Sequence, residues 1–137
     1  MFWLSLKSKY GLAALFQLAL HHQSGPVQIK DLAEAESIPQ NYLEQVLIDL
    51  KRAGLVRSFR GVKGGYQLAR QSDQISVLDI LTCLEGPSQI GSKICNSAVL
   101  GSFWADLESQ LEAILHISLS ELVLKQKSIH NIVTYSI

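Results

Sequence analysis

The chain has little of what would make it an enzyme, a secreted scaffold or a membrane protein. Two cysteines, Cys83 and Cys95, in 137 residues are too few for the disulfide framework of a small secreted domain and suit a reducing compartment. There is no P-loop, no nucleophile elbow and no metal-binding pair of histidines, and Gly61, Gly64 and Gly65 do not make a GxGxxG ahead of a helix. An enzyme is therefore not expected. Neither an internal repeat nor a low-complexity tract occurs. Net charge is absent too, with 12 Lys/Arg against 12 Asp/Glu. The apolar run "YGLAALFQLAL" follows Lys7 and Lys9 in the manner of a signal peptide. It ends in His21-His22-Gln23 without a small-x-small cleavage site, and it is too short to span a bilayer. No membrane attachment and a cytoplasmic location are expected. What is present is ordinary for a folded domain, 47% hydrophobic and 18% charged, enough apolar material for a core.

The charge that sums to zero is unevenly spread. Residues 1–70 carry nine Lys/Arg and five Asp/Glu, a balance of +4, and residues 71–137 carry three and seven, a balance of −4. A polyanion would be attracted to the first part only. The stretch "LVRSFRGVKGGYQLAR" concentrates Arg57, Arg60, Lys63 and Arg70 beside three glycines with no acid.

Periodicity predicts a first helix over about Lys7–His22, with Leu12, Leu15, Phe16 and Ala19 on its buried stripe. "SGPV" is a turn. A short helix is expected at about Ile29–Ala35, with Ile29, Leu32 and Ala33 inward. Pro39 suits the first turn of a third helix, which runs to about Ala53 with Leu43, Val46, Leu47 and Leu50 on one face. "LVRSF" and "GYQLA", joined by "RGVKG", read as a β-hairpin. Ser76 and Asp79 form a capping box for a helix at about Val77–Glu85. A Gly/Ser/Pro-rich loop then leads to a long helix at about Val99–Ile117. There Leu100, Trp104, Leu107, Leu111 and Ile114 are spaced four, three, four, three, the seam of a helix lying along another helix. Ser118 and Glu121 start a further short helix.

Helix, short helix, tight turn, helix, hairpin is the order of a winged helix-turn-helix. The expected fold is mainly α, with a small β-hairpin wing and a long C-terminal dimerisation helix. Residues 1–74 would form the DNA-binding domain, and residues 75–137 the linker loop, dimerisation helix and C-terminal arm. A recognition helix needs one apolar face for its neighbours and one polar face for the major groove. The third helix leaves Gln40, Asn41, Glu44 and Gln45 outward. Asn and Gln can pair with adenine, and Glu can accept from cytosine N4. Lys51, Arg52 and Arg57 follow, placed for phosphates. In the wing, Arg60 and Lys63 supply charge, and glycine permits a sharp turn and close approach to a sugar-phosphate wall. A winged helix that binds protein rather than DNA is the alternative, and such a module would tolerate a neutral wing.

The segments "SKYGLAAL", "GPVQIKDLAEAESIPQNYLEQVLIDLKRAGLVRSFRGVKGGYQLAR" and "ISVLDILTCLEGP" resemble the Rrf-two family of bacterial winged helix-turn-helix transcription regulators, over about residues 4–126. "FWADLESQLEAILHISLSELV" is similar to that family's dimerisation helix and its C-terminal cap. The resemblance implies a homodimeric regulator reading a pseudo-palindromic site on double-stranded DNA. It puts Gln40, Asn41, Tyr42, Glu44 and Gln45 in the recognition helix, Arg60, Gly61 and Gly65 in the wing, and Lys7, Lys9 and Tyr10 in an N-terminal basic cluster. Many members of the family hold an iron–sulfur cluster through three cysteines in the loop before the long helix. Here that loop has Cys95 alone, nine residues before Trp104. A cluster would need Cys83 with Cys95, ligands from both subunits, or ligands other than cysteine. A structural or redox role for Cys95 is the competing reading, and Cys83 reads most simply as a small buried apolar residue. The four histidines read as surface or capping residues: His21 and His22 end the first helix, His116 lies near the end of the long one, and His130 is in the tail.

Overall fold

The computed structural model describes residues 4–87 and 96–135, apart from the side chains of residues 133–135. In chain order the elements are α1 (Leu6–Leu20), α2 (Ile29–Glu36), α3 (Gln40–Arg52), β1 (Val56–Phe59), β2 (Gly65–Leu68), a 3-10 turn (Ser72–Gln74), α4 (Val77–Glu85), α5 (Ala98–Leu115) and α6 (Leu119–Tyr135). This is the mainly helical winged architecture read from the sequence.

Helix α1 lies at the centre and packs against α2, α3, α4 and α6. Its burial is therefore wider than one stripe. Ala14, Leu15, Leu18 and Ala19 are buried, whereas Leu12 and Phe16 are half-buried. The expected stripe was rotated toward the flank because a four-sided environment, not a single apposed surface, decides which residues are covered. Leu32 and Ala33 of α2 enter the core, and Ile29 stays at its edge. The turn after α2 puts Ser37 in the left-handed region at φ 53°. Pro39 is the N-cap of α3 rather than part of its first turn, and its carbonyl accepts from the Leu43 N–H at 3.0 Å. Leu43, Val46, Leu47 and Leu50 are buried as their spacing demands. Truncating any one of the leucines to alanine should cost about 2–5 kcal/mol.

Strands β1 and β2 pair antiparallel with Val56 opposite Leu68 and Phe59 opposite Gly65. The hairpin is latched to the turn before α2: the Val27 N–H donates to the Tyr66 carbonyl at 2.9 Å, and the Tyr66 N–H to the Val27 carbonyl at 2.8 Å. At Gly65, φ is +142° and a Cβ would lie 2.4 Å from the Val27 carbonyl oxygen. Only glycine lets the two backbones come this close.

The capping box of α4 is formed as expected, Ser76 Oγ accepting from the Asp79 N–H at 3.0 Å and Asp79 Oδ2 from the Ser76 N–H at 3.0 Å. The residues ahead of α4 also pair with those ahead of α6. The Val77 N–H donates to the Ile117 carbonyl and the Leu119 N–H to the Ile75 carbonyl, each at 2.9 Å. Ile75, Ile80 and Leu119 thereby join the same core as α1 and α3. Helix α6, started by Ser118 Oγ accepting from the Glu121 N–H at 3.2 Å, is not short: it runs 17 residues and takes in His130, which the sequence reading left in a tail.

Candidate nucleic-acid interface

With four apolar residues of α3 turned into the core, helical geometry dictates what faces out. At about 100° per residue, Asn41, Gln45, Ile48 and Arg52 fall in a sector about 60° wide, opposite the buried stripe. All four are exposed. Gln40, Glu44 and Lys51 flank this sector on the side of the wing, where the Lys51 ammonium donates to Ser58 Oγ at 2.7 Å. Tyr42 and Asp49 flank it on the side of α1. Asn41 Oδ1 accepts from the Tyr42 N–H at 3.0 Å, which leaves its amide N–H groups free for an acceptor on a base.

The N-terminal basic residues divide. Lys7 bridges to Asp49 of α3 at 2.5 Å, and this carboxylate, first through its hydrogen bond, holds the ammonium above its ordinary range. Arg52 approaches the same carboxylate at 3.7 Å. Tyr10 meets Tyr42 edge-on with ring centroids 5.4 Å apart. Lys7 and Tyr10 thus position α3 against α1. Lys9, Arg60 and Lys63 are exposed and their side chains make no hydrogen bond or ion pair among the described residues, so their charge is available to a polyanion.

At the wing tip Gly61 has φ +104° with open space around it, and Val62 is 93% exposed. Gln28, just ahead of α2, donates from Nε2 to the Val62 carbonyl at 3.2 Å and ties the tip to the helix-turn-helix. Gly65 is smaller than its neighbours for a reason inside the protein, the approach of Val27, and not at its outer surface. Arg57 also departs from expectation. Successive strand residues point to opposite faces. Ser58 faces α3, so Arg57 faces away from it. There Arg57 Nη2 donates to the Ala69 carbonyl at 3.1 Å and lines a groove of about 490 Å³ with Leu18, His21, His22 and Arg70. The imidazoles of His21 and His22 lie 2.9 and 3.1 Å from the Gln17 and Ala19 carbonyls, the capping role expected of them.

Ile48 is the residue that reading by donor and acceptor type missed. It is 43% exposed in the middle of the outward sector. The signal was present in the spacing, since Ile48 lies three residues after Gln45 and four before Arg52.

The cluster chemistry suggested by resemblance finds no support in the described residues. Cys83 is half-buried in α4 and its thiol donates to the Asp49 carbonyl at 3.7 Å. Burial, then the Asp49 carboxylate, pushes that thiol up, which opposes the thiolate form a ligand needs. Among the described residues no three His, Cys, Asp or Glu side chains come together to hold a metal ion. The described residues do not by themselves form an iron–sulfur site. Cys95 lies outside the described residues.

A two-stranded wing latched beside a recognition helix with a polar outer face, the wing carrying exposed Arg60 and Lys63, defines a winged helix-turn-helix DNA-binding protein. The comparisons give the family. Residues 4–125 match the Rrf2 model, described as iron-dependent transcriptional regulator. The helix-turn-helix protein slr0846 of Synechocystis sp. is 41% identical over 132 residues, covering 91% of this chain and 90% of that one. The structure of CymR, the global cysteine regulator of B. subtilis, superposes with a TM-score of 0.84 at 32% identity, covering 91% of this chain and 98% of that one. T. potens IscR superposes with a TM-score of 0.80 at 38% identity, covering 91% and 88%. The chain belongs to the Rrf2 family. It is a DNA-binding transcription regulator and not an enzyme. No helix among the described residues is long and apolar enough to cross a membrane.

Proposed function

We propose that the protein acts in the bacterial cytoplasm as a homodimer on a pseudo-palindromic promoter site, each protomer placing α3 in the major groove and its wing on the flanking backbone. Residues 1–74 read the DNA, and residues 75–137 pair the protomers. The observation that carries this reading is α5. Not one of its 18 residues is buried, although Val99, Leu100, Phe103, Trp104 and Ile114 are between 39% and 78% exposed. An apolar helix left uncovered on a single chain calls for a partner, and the Leu100–Trp104–Leu107–Leu111–Ile114 seam has the spacing of a helix pair. A two-fold axis along that seam would set the recognition helices about one DNA turn apart.

The test is Leu107→Asp, which puts a charge into the seam. Sedimentation should show monomers, with operator affinity greatly reduced. A variant that still sediments as a dimer would place the interface elsewhere. The signal enters through the loop ahead of α5 in this reading, because a change there tilts the long helices and re-spaces the recognition helices. Thiol chemistry at Cys95 is favoured over a cluster there: the loop has one cysteine, and Cys83 is turned to the Asp49 carbonyl.

A further inference from the structure

We propose that Ile48 reads the 5-methyl group of a thymine in each half-site and so sets sequence preference through an apolar contact. The inference rests on the DNA-reading role of α3 and adds to it the class of base edge that α3 recognises. An exposed isoleucine by itself requires no explanation. Its position does. The outward sector of α3 has Asn41 and Gln45 on the N-terminal side of Ile48 and Arg52 one turn beyond it. Ile48 therefore sits between the residues suited to base edges and those suited to phosphates, on the line that a helix lying in the groove presents to DNA.

A branched alkyl chain at that place cannot hydrogen-bond and adds nothing to attraction for phosphate. In the major groove, among the base-edge features that distinguish the four bases, only the thymine methyl is apolar. An alkyl group against a purine edge would cover a donor or acceptor and leave it unpaired, and against cytosine it would meet only the smaller C5–H beside the N4 donor. Ile48 therefore rewards thymine and penalises the bases whose polar groups it would desolvate. No core contact compensates for its exposure: the buried side of α3 is filled by Leu43, Val46, Leu47 and Leu50.

The experiment uses the full-length protein. Preferred duplexes are first selected from a random pool. Each thymine of the preferred site is then replaced singly by deoxyuridine, which removes the methyl and leaves every hydrogen-bonding group. Burying one such group is worth about 0.8 kcal/mol, so its loss should weaken wild-type binding about fourfold at one position in each half-site. In Ile48→Ala the same replacement should change affinity by less than a factor of about 1.5, the methyl having lost its contact. Ile48 is exposed and alanine is a better helix former, so the variant keeps its fold, which its circular dichroism checks. A wild type indifferent to every deoxyuridine, a variant that keeps the fourfold sensitivity, or a preferred half-site with no thymine each overturns the inference while leaving DNA reading by α3 intact. A pool that yields no preferred sequence overturns both.

Discussion

The latch between the wing and the turn before α2 can be tested by one methyl group. In Gly65→Ala the new Cβ would stand 2.4 Å from the Val27 carbonyl oxygen and 2.5 Å from its carbonyl carbon. Both are backbone atoms, so neither can swing aside as a side-chain tip would. Relief requires the hairpin to lift from Val27, giving up the reciprocal hydrogen bonds between Val27 and Tyr66. Two such bonds are worth about 1 kcal/mol each in net terms. Holding an L-residue at positive φ adds roughly 1–2 kcal/mol. Against this, alanine restricts the unfolded chain and returns about 0.4–1 kcal/mol. The net loss is about 2–3.6 kcal/mol. For a chain of this size that lowers Tm by roughly 8–14 °C. Gly61→Ala is the control: φ is also positive, at +104°, but nothing lies within 4 Å of the new atom, so it should cost at most about 1.6 kcal/mol. Urea unfolding followed by circular dichroism measures both. Equal stabilities for the two variants would refute the latch, because they share the backbone strain and differ in the close approach. Duplex affinity should fall in Gly65→Ala even well below its Tm, since the wing is no longer held beside α3.

Arg60→Ala should weaken binding to random and preferred duplexes alike and reduce the slope of log affinity against log salt by about one; an unchanged slope in a salt titration removes Arg60 from the phosphate contacts. Glu85 accepts from Ser5 Oγ at 2.5 Å, Ser8 Oγ at 2.6 Å and the Ser5 N–H at 2.7 Å, and these bonds, the Ser5 hydroxyl first, hold its carboxyl below the usual carboxylate range. A depressed carboxyl stabilises the fold above its unfolded pKa and loses that contribution as pH falls through the folded one. Glu85→Gln should therefore be less stable than wild type at neutral pH and converge with it in acid; stability curves that stay parallel from neutral to acid pH would refute the clasp. Wild-type protein should be colourless and free of iron, and Cys95→Ser should abolish any oxidant-dependent change in operator affinity; a brown wild type that loses visible absorption in Cys95→Ser would establish the cluster instead.

Most of the architecture was legible in the sequence because its determinants are local. The apolar spacing of α3, the capping box at Ser76 and Asp79, and the glycines between two short apolar runs act over a few residues, and each predicted its element. The outward face of α3 followed from the same spacing, with Ile48 overlooked only because hydrogen-bonding type was the criterion. What the tertiary structure alone decided depends on groups far apart in the chain. Lys7 is committed to Asp49, 42 residues away. Arg57 is turned from the recognition helix because Ser58 beside it is held by Lys51. Gly65 is required by the carbonyl of Val27, and the Cys83 thiol is drawn to the carbonyl of Asp49. Periodicity tells which side of an element is apolar. It does not tell which polar group arrives opposite, because that is settled only when helices and hairpin close on one another and every buried donor and acceptor must find a partner.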